Sequence, residues 1–138
     1  MKNIRYFLFL FAALGLLSAC NKNNESPIVI NANNLLLGIW VNSHYIDTAT
    51  IMNRSQNLLD TCDGFEFKAD GTLIRRANSG DCATPPITYA NYSGTWMQMP
   101  DKTIFIETEY WGGSTTFSLE IILVDETKLI YRQIISNN

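Results

Sequence analysis

From residue 38 onward the apolar positions fall into short runs with a period of two, and turn residues separate the runs. Phe65-Glu66-Phe67-Lys68 alternates as a half-buried strand should. Ala69-Asp70-Gly71 then turns the chain, and Thr72 to Arg76 is the return strand. The same rhythm predicts strands over Gly38 to Ile46, Tyr89 to Met97 and Thr103 to Tyr110, with Met99-Pro100-Asp101-Lys102 as a turn. After Gly112-Gly113, Thr116 to Val124 sets Phe117, Leu119, Ile121 and Leu123 against Ser118 and Glu120. Asp125-Glu126-Thr127 turns again, and Lys128 to Ile135 is the last strand. Asp47 to Thr61 is less regular and reads as a weak strand plus a loop. Asn78 to Pro86 carries Gly80, Pro85 and Pro86 and reads as a loop. Seven or eight short strands without a long helix predict an antiparallel barrel or sandwich.

The N-terminus follows another pattern. Lys2 and Arg5 precede an apolar run from Tyr6 to Leu17. A bilayer span needs about 20 apolar residues, so this run reads as a secretory signal. Leu17-Ser18-Ala19-Cys20 resembles the lipobox of bacterial lipoproteins. That resemblance implies cleavage before Cys20 and acyl chains on Cys20 that anchor the protein to a membrane. The next residues are Asn-rich and too polar to order themselves, so they read as a tether. The expected organisation is a signal peptide over 1–19, a tether over 20–34 and a barrel over 35–138. Asn21 stands where some inner-membrane lipoproteins carry Asp, which points to the outer membrane, with the leaflet open.

Charge and cysteine content narrow the picture further. The formal net charge is −3, and it grows more negative once Lys2 and Arg5 are lost. With no basic patch, nucleic acid is not an expected partner. The mature chain of about 120 residues is one domain of ordinary size. Cys62 and Cys82 form an even pair in an exported protein, so a disulfide is expected. It would close a loop of about 20 residues, worth ~3 kcal/mol.

Gly38-x-Trp40 near the start of the first strand resembles the signature of lipocalins and other calycins. Phe65-x-Phe67-x-x-Asp70-Gly71-Thr72-Leu73 and Tyr92-x-Gly94-x-Trp96 resemble segments of small bacterial lipocalin-like lipoproteins. The resemblance runs from about Leu35 to Arg132. It implies an all-β, antiparallel up-and-down barrel of about eight strands, with Trp40 plugging its closed end. In that family an Arg stacks on the Trp, and Arg132 is the available candidate here. The usual C-terminal helix is missing.

Candidate chemistry is sparse. Strict alternation from Trp40 puts Asn42, His44 and Ile46 on the inner face, and His44 is the sole histidine. A three-residue loop at Ala69-Asp70-Gly71 would face Phe65 with Arg75 and point Arg75 inward. A two-residue loop would instead set Arg75 outside, opposite Glu66. An inward guanidinium could hold a carboxylate or phosphate head. Glu107 and Glu109 share the face opposite Ile104 and Ile106 and belong to a solvated surface. Two carboxylates can cleave glycosides, but this pair lies outside a barrel. No Gly-x-Ser-x-Gly or phosphate-cradling loop occurs. Asp47-Thr48-Ala49 resembles an acceptor motif of some bacterial O-glycosylation systems.

The expected protein is a lipid-anchored, non-enzymatic binding protein of the cell envelope, with no cofactor and no metal. A small apolar or amphipathic ligand would sit among Trp40, Phe65, Phe67, Leu73, Tyr92, Trp96, Phe117, Leu119 and Tyr131, with His44 and Arg75 near its polar end. The alternative is a barrel filled by its own side chains whose outer face contacts an envelope protein or a glycan.

Overall fold

The computed structural model describes residues 33–80 and 86–134. Eight strands follow one another: β1 (Gly38–Ile46), β2 (Ala49–Ser55), β3 (Gly64–Phe67), β4 (Thr72–Asn78), β5 (Tyr89–Gln98), β6 (Thr103–Tyr110), β7 (Gly113–Val124) and β8 (Lys128–Ile134). They close into one antiparallel barrel in the order β1-β2-β8-β7-β6-β5-β4-β3. The expected eight-stranded barrel is therefore the fold. β2 is a full strand rather than a weak one, because Thr50 and Met52 alternate into the core.

From β3 to β8 the chain is a plain meander. The β1–β2 hairpin closes it, with β1 against β3 and β2 against β8. Since β2 and β3 flank β1 and run in the same direction, residues 56–63 must cross over β1 to join them, from the level of Ile39 to that of Val41. Leu58 lies outside β1: a Cβ on Gly64 would come within 2.9 Å of Leu58 and 3.2 Å of Val41. That cover explains why Val41 is buried although it points away from the barrel axis.

Two bulges reset the alternation. In β1, Val41 pairs with Asn53 and His44 pairs with Ile51, so Asn42 and Ser43 together oppose Met52. Asn42 has φ of 59°, a left-handed conformation that Asn tolerates better than most residues. One extra residue inverts the parity beyond it. His44 therefore points outward and is exposed, contrary to its expected inward position, and Tyr45 takes the inner face opposite Thr50. In β7, Ile121 pairs with Tyr131 and Leu123 with Ile130, leaving Ile122 unpaired. Val124 consequently packs on the core, and Leu123, expected inside, is 42% exposed.

The closed end is organised by Trp40, which is fully buried. Its Nε1 donates to the Leu36 carbonyl at 2.8 Å. The Arg54 guanidinium lies 4.1 Å from the Trp40 ring centroid, a cation–π stack. The same guanidinium donates to the Leu37 carbonyl at 2.8 Å and to the Leu35 carbonyl. Gly38 completes the arrangement. It has φ of 113°, and a Cβ there would lie 2.8 Å from Arg54 Nη1. The Gly-x-Trp spacing thus leaves room for the arginine that covers the tryptophan. Arg132, the expected partner of Trp40, is on the outer face instead, paired with Glu120 at 3.2 Å.

Above Trp40 the barrel is solid. Met52, Phe67, Leu73, Trp96, Ile104, Ile106, Leu119 and Leu129 are all buried in one cluster. Phe67 and Trp96 meet edge to face at 5.1 Å. Three hairpin turns at this end share one device. Asp70, Asp101 and Asp125 each accept from the backbone N–H two residues on, at Thr72, Thr103 and Thr127. These bonds hold all three carboxyls below their usual pKa; for Asp70 and Asp101 the larger cause is the threonine hydroxyl.

Truncating Arg54 removes the stack and leaves two carbonyls without their charged donor. Arg54→Ala is expected to lower stability by about 2–4 kcal/mol, and Arg54→Lys to recover only part, because an ammonium cannot lie flat and bridge both carbonyls. Denaturant midpoints of the three proteins test this; an Arg54→Ala midpoint equal to wild type would remove Arg54 from the closed end's support.

Candidate functional site: the barrel mouth

The other end of the barrel is less completely filled, and the β3–β4 turn decides which side chains reach it. Lys68 N donates to the Thr72 carbonyl at 3.1 Å, and Gly71 N donates to the Lys68 carbonyl at 3.1 Å. Gly71 has φ of 82°, which a three-residue loop with a left-handed last residue requires. Phe65 is thereby set opposite Arg75, and Phe67 opposite Leu73. Of the two registers left open by the sequence, the one that turns Arg75 inward is present. Glu66 faces Ile74 and points outward.

Arg75 sits between Phe65 on β3 and Tyr92 on β5. Its guanidinium lies 5.2 Å from the Phe117 ring centroid. Burial pulls its pKa down from the usual arginine value, yet arginine keeps its charge in proteins. Arg75 forms no ion pair or hydrogen bond among the described residues. Its neighbour Arg76 is already committed outside, to Asp60 at 2.7 Å and Asn91 at 2.8 Å.

A cup of about 240 Å³ opens over Arg75. Phe65, Phe117 and Leu119 form its apolar floor, and Asp63, Tyr131 and Gln133 supply polar atoms. A second, shallower hollow of about 320 Å³ shares Arg75, Ala77 and Thr115 with the cup and is flanked by Tyr110 and Trp111. Tyr110 and Trp111 meet edge to face at 5.7 Å. Tyr45 stands on the rim, 80% exposed. Drug-sized pockets usually enclose about 300–1,000 Å³, so the cup suits a small molecule or one end of a longer one.

The other sequence candidates scatter. Phe65 is part of the cup, and Phe67 lies beneath it, 5.6 Å from Phe65. Tyr92 flanks Arg75 and donates its hydroxyl to the Asn78 carbonyl at 3.1 Å. Trp40 and Trp96 belong to the closed end, where Trp96 Nε1 donates to the Lys68 carbonyl at 3.0 Å. His44 is outside. Glu107 and Glu109 are exposed on the outer face of β6. Thr48 is in an exposed turn, and its hydroxyl accepts from Arg132 Nε at 3.2 Å. Cys62 is half-buried and carries a free thiol; Cys82, its expected disulfide partner, and Cys20 lie outside the described residues. Among the described residues no three His, Cys, Asp or Glu side chains are grouped to hold a metal.

Tyr131, expected in the lining, is part of the cup. Two further polar members, Asp63 and Gln133, were not singled out by sequence reasoning. Asp63 is two residues before Phe65, and Gln133 is two residues after Tyr131 on β8. Period-two extension of the inward positions finds both. Tyr45 reaches the rim because the β1 bulge turns it to the inner face. No known protein family, characterised protein or solved structure matches the chain.

Burial pushes the Tyr131 hydroxyl up to about 12, with Asp63 and Tyr45 adding to the rise; a hydrogen bond with Thr50 opposes it. The folded state thus keeps the phenol neutral while an unfolded tyrosine ionises near 10. Stability is unaffected below pH 10 and falls between about 10 and 12, because there the unfolded chain releases a proton that the folded chain retains. The expected loss is about 2–3 kcal/mol by pH 12. Denaturation of wild type and Tyr131→Phe over this range checks it: the variant should lose that part of the slope, and an identical slope would count against a buried Tyr131 hydroxyl.

Proposed function

We propose that this protein is a lipid-anchored, lipocalin-like binding protein of the bacterial cell envelope, which holds a small amphipathic ligand with its anionic head at Arg75. The observation that carries the reading is the inward Arg75 guanidinium, stacked on Phe117 and open to the cup without a counter-ion bonded to it. Bringing a guanidinium partly out of water is costly unless a partner compensates. A carboxylate or phosphate entering the cup supplies that partner, and the fork of N–H donors suits it. Phe65, Phe117 and Leu119 offer the ligand's body an apolar seat. The solid lower half leaves no room for a long chain, so the ligand is short or projects from the mouth.

Support for a lipocalin-like ancestry comes from Gly38, Trp40 and Arg54 at the closed end, since a stacked arginine is what the resemblance calls for. The anchor reading rests on Leu17-Ser18-Ala19-Cys20. Outer-membrane placement rests on Asn21. The second reading, an interaction module whose outer face contacts a protein or glycan, is favoured by the filled lower half of the barrel.

Octanoate and octanol differ in their heads alone and report on Arg75. Arg75→Ala should weaken octanoate binding by tenfold or more and leave octanol unchanged, with Arg75→Lys intermediate, when measured by titration calorimetry on the full-length chain in detergent. Equal weakening of both ligands, or of neither, would favour the interaction module. For the anchor, growth with an alkyne fatty acid should label the wild type and not Cys20→Ala; an unlabelled wild type would end the lipoprotein reading.

A further inference from the structure

The cup contains a second charge that the anion reading does not use. Asp63 lines the same hollow as Arg75. It directly precedes Gly64, the first residue of β3, and continued alternation puts it on the face of Phe65 and Phe67. Its backbone carbonyl is fixed by Asn42 N at 3.2 Å, on the bulge of β1. Asp63 is close enough to Arg75 and to Tyr131 to act on both electrostatically. Yet the two charges do not pair: no contact of 4.0 Å or less joins the Asp63 carboxylate to Arg75 or to any other cation among the described residues.

Two opposite charges facing one small hollow ordinarily collapse into an ion pair. Here the walls hold them apart. Arg75 is held on the Phe117 ring from β4, and Asp63 is anchored through its backbone at the β1 bulge. Arg76 does not neutralise Asp63, because it is bonded to Asp60 and Asn91. The other titratable groups at the cup are Arg76, whose charge is met by Asp60, and phenols: Tyr45 and Tyr131 in its lining and Tyr92 beside Arg75. Arg75 on one wall and Asp63 on another are left as the two charges of the lining with no ion-pair partner among the described residues.

Resting on the binding reading above, we propose that the ligand is a compact zwitterion, an amino acid with an aromatic or bulky apolar side chain. Its carboxylate meets Arg75 and its ammonium meets Asp63. Its side chain lies in the adjoining hollow against Tyr110 and Trp111, which opens from the cup at Arg75. A simple carboxylate satisfies Arg75 and leaves Asp63 unanswered. A simple amine does the reverse and adds a second cation beside Arg75. A dianion is repelled by Asp63.

Three probes separate these outcomes: L-phenylalanine, 3-phenylpropionate, which lacks the amine, and phenethylamine, which lacks the carboxylate. Calorimetric titration of the full-length chain in detergent should give L-phenylalanine affinity at least tenfold above 3-phenylpropionate, with phenethylamine weaker still. Asp63→Asn, which keeps shape and removes charge, should abolish the preference for L-phenylalanine over 3-phenylpropionate without weakening 3-phenylpropionate. Trp111→Ala, at a half-exposed site, should weaken both. If 3-phenylpropionate binds as tightly as L-phenylalanine and both depend on Arg75, the zwitterion is overturned and the anion reading stands. If Asp63→Asn leaves L-phenylalanine binding intact, the role of Asp63 is overturned. If none of the three binds while octanoate binds through Arg75, the amino acid class is overturned alone.

Discussion

The stack of Arg54 on Trp40 is the contact on which the barrel's shape depends. A barrel needs one end shut, and apolar side chains alone cannot shut it where strands end and carbonyls are left over. Arg54 meets both needs, with its face on the indole and its N–H groups on the carbonyls of the segment that crosses the end. Gly38 is the cost in backbone freedom, since that guanidinium occupies the place of its side chain. The segment Asn34–Leu37 is held by the same system: Asn34 donates to Gln98 at 2.7 Å and Leu36 accepts from Trp40. Three distant parts of the sequence, residues 34–40, Arg54 and Gln98, are joined there.

Polarity is graded along the barrel axis. At the closed end, the cluster of Trp40, Phe67 and Trp96 excludes water and leaves no space. Toward the mouth, Thr50, Tyr131, Gln133 and the charged pair replace aliphatic groups. The gradient gives one fold both a packed core and an open, polar end. Packing is concentrated at the closed end, so substitutions there disturb folding more than substitutions at the mouth.

Much of this architecture was legible in the chain. Period-two alternation and the turn residues Asp-Gly, Pro-Asp and Asp-Glu placed most of the strands, because each strand has one wet and one dry face. What alternation cannot see is an inserted residue. Asn42 reads as an ordinary polar position, and its left-handed backbone alone moves His44 out and Tyr45 in. The same blindness at Ile122 exchanged Leu123 with Val124. Arg54 was hidden for another reason. A charged residue inside a barrel looks like surface until its indole and its carbonyls are known, and both lie in other elements. Arg75 was within reach because a single turn geometry decided its side, although the sequence left two geometries open. Asp63 could have been found by counting back from Phe65.

The β1 bulge has an implication for how this mouth changes over generations. The bulge absorbs one residue without disturbing the pairings on either side of it. Loss of Asn42 or Ser43 would straighten the ladder and leave His44 outside and Tyr45 inside, on the faces they now hold. An imidazole enters only if the strand straightens with both residues kept, which slips β1 by one residue against β2 and turns Tyr45 outward. The bulge thus uncouples the length of β1 from the chemistry of the rim: the chain can gain or lose a residue there while the register against β2 keeps the same side chains facing the cup.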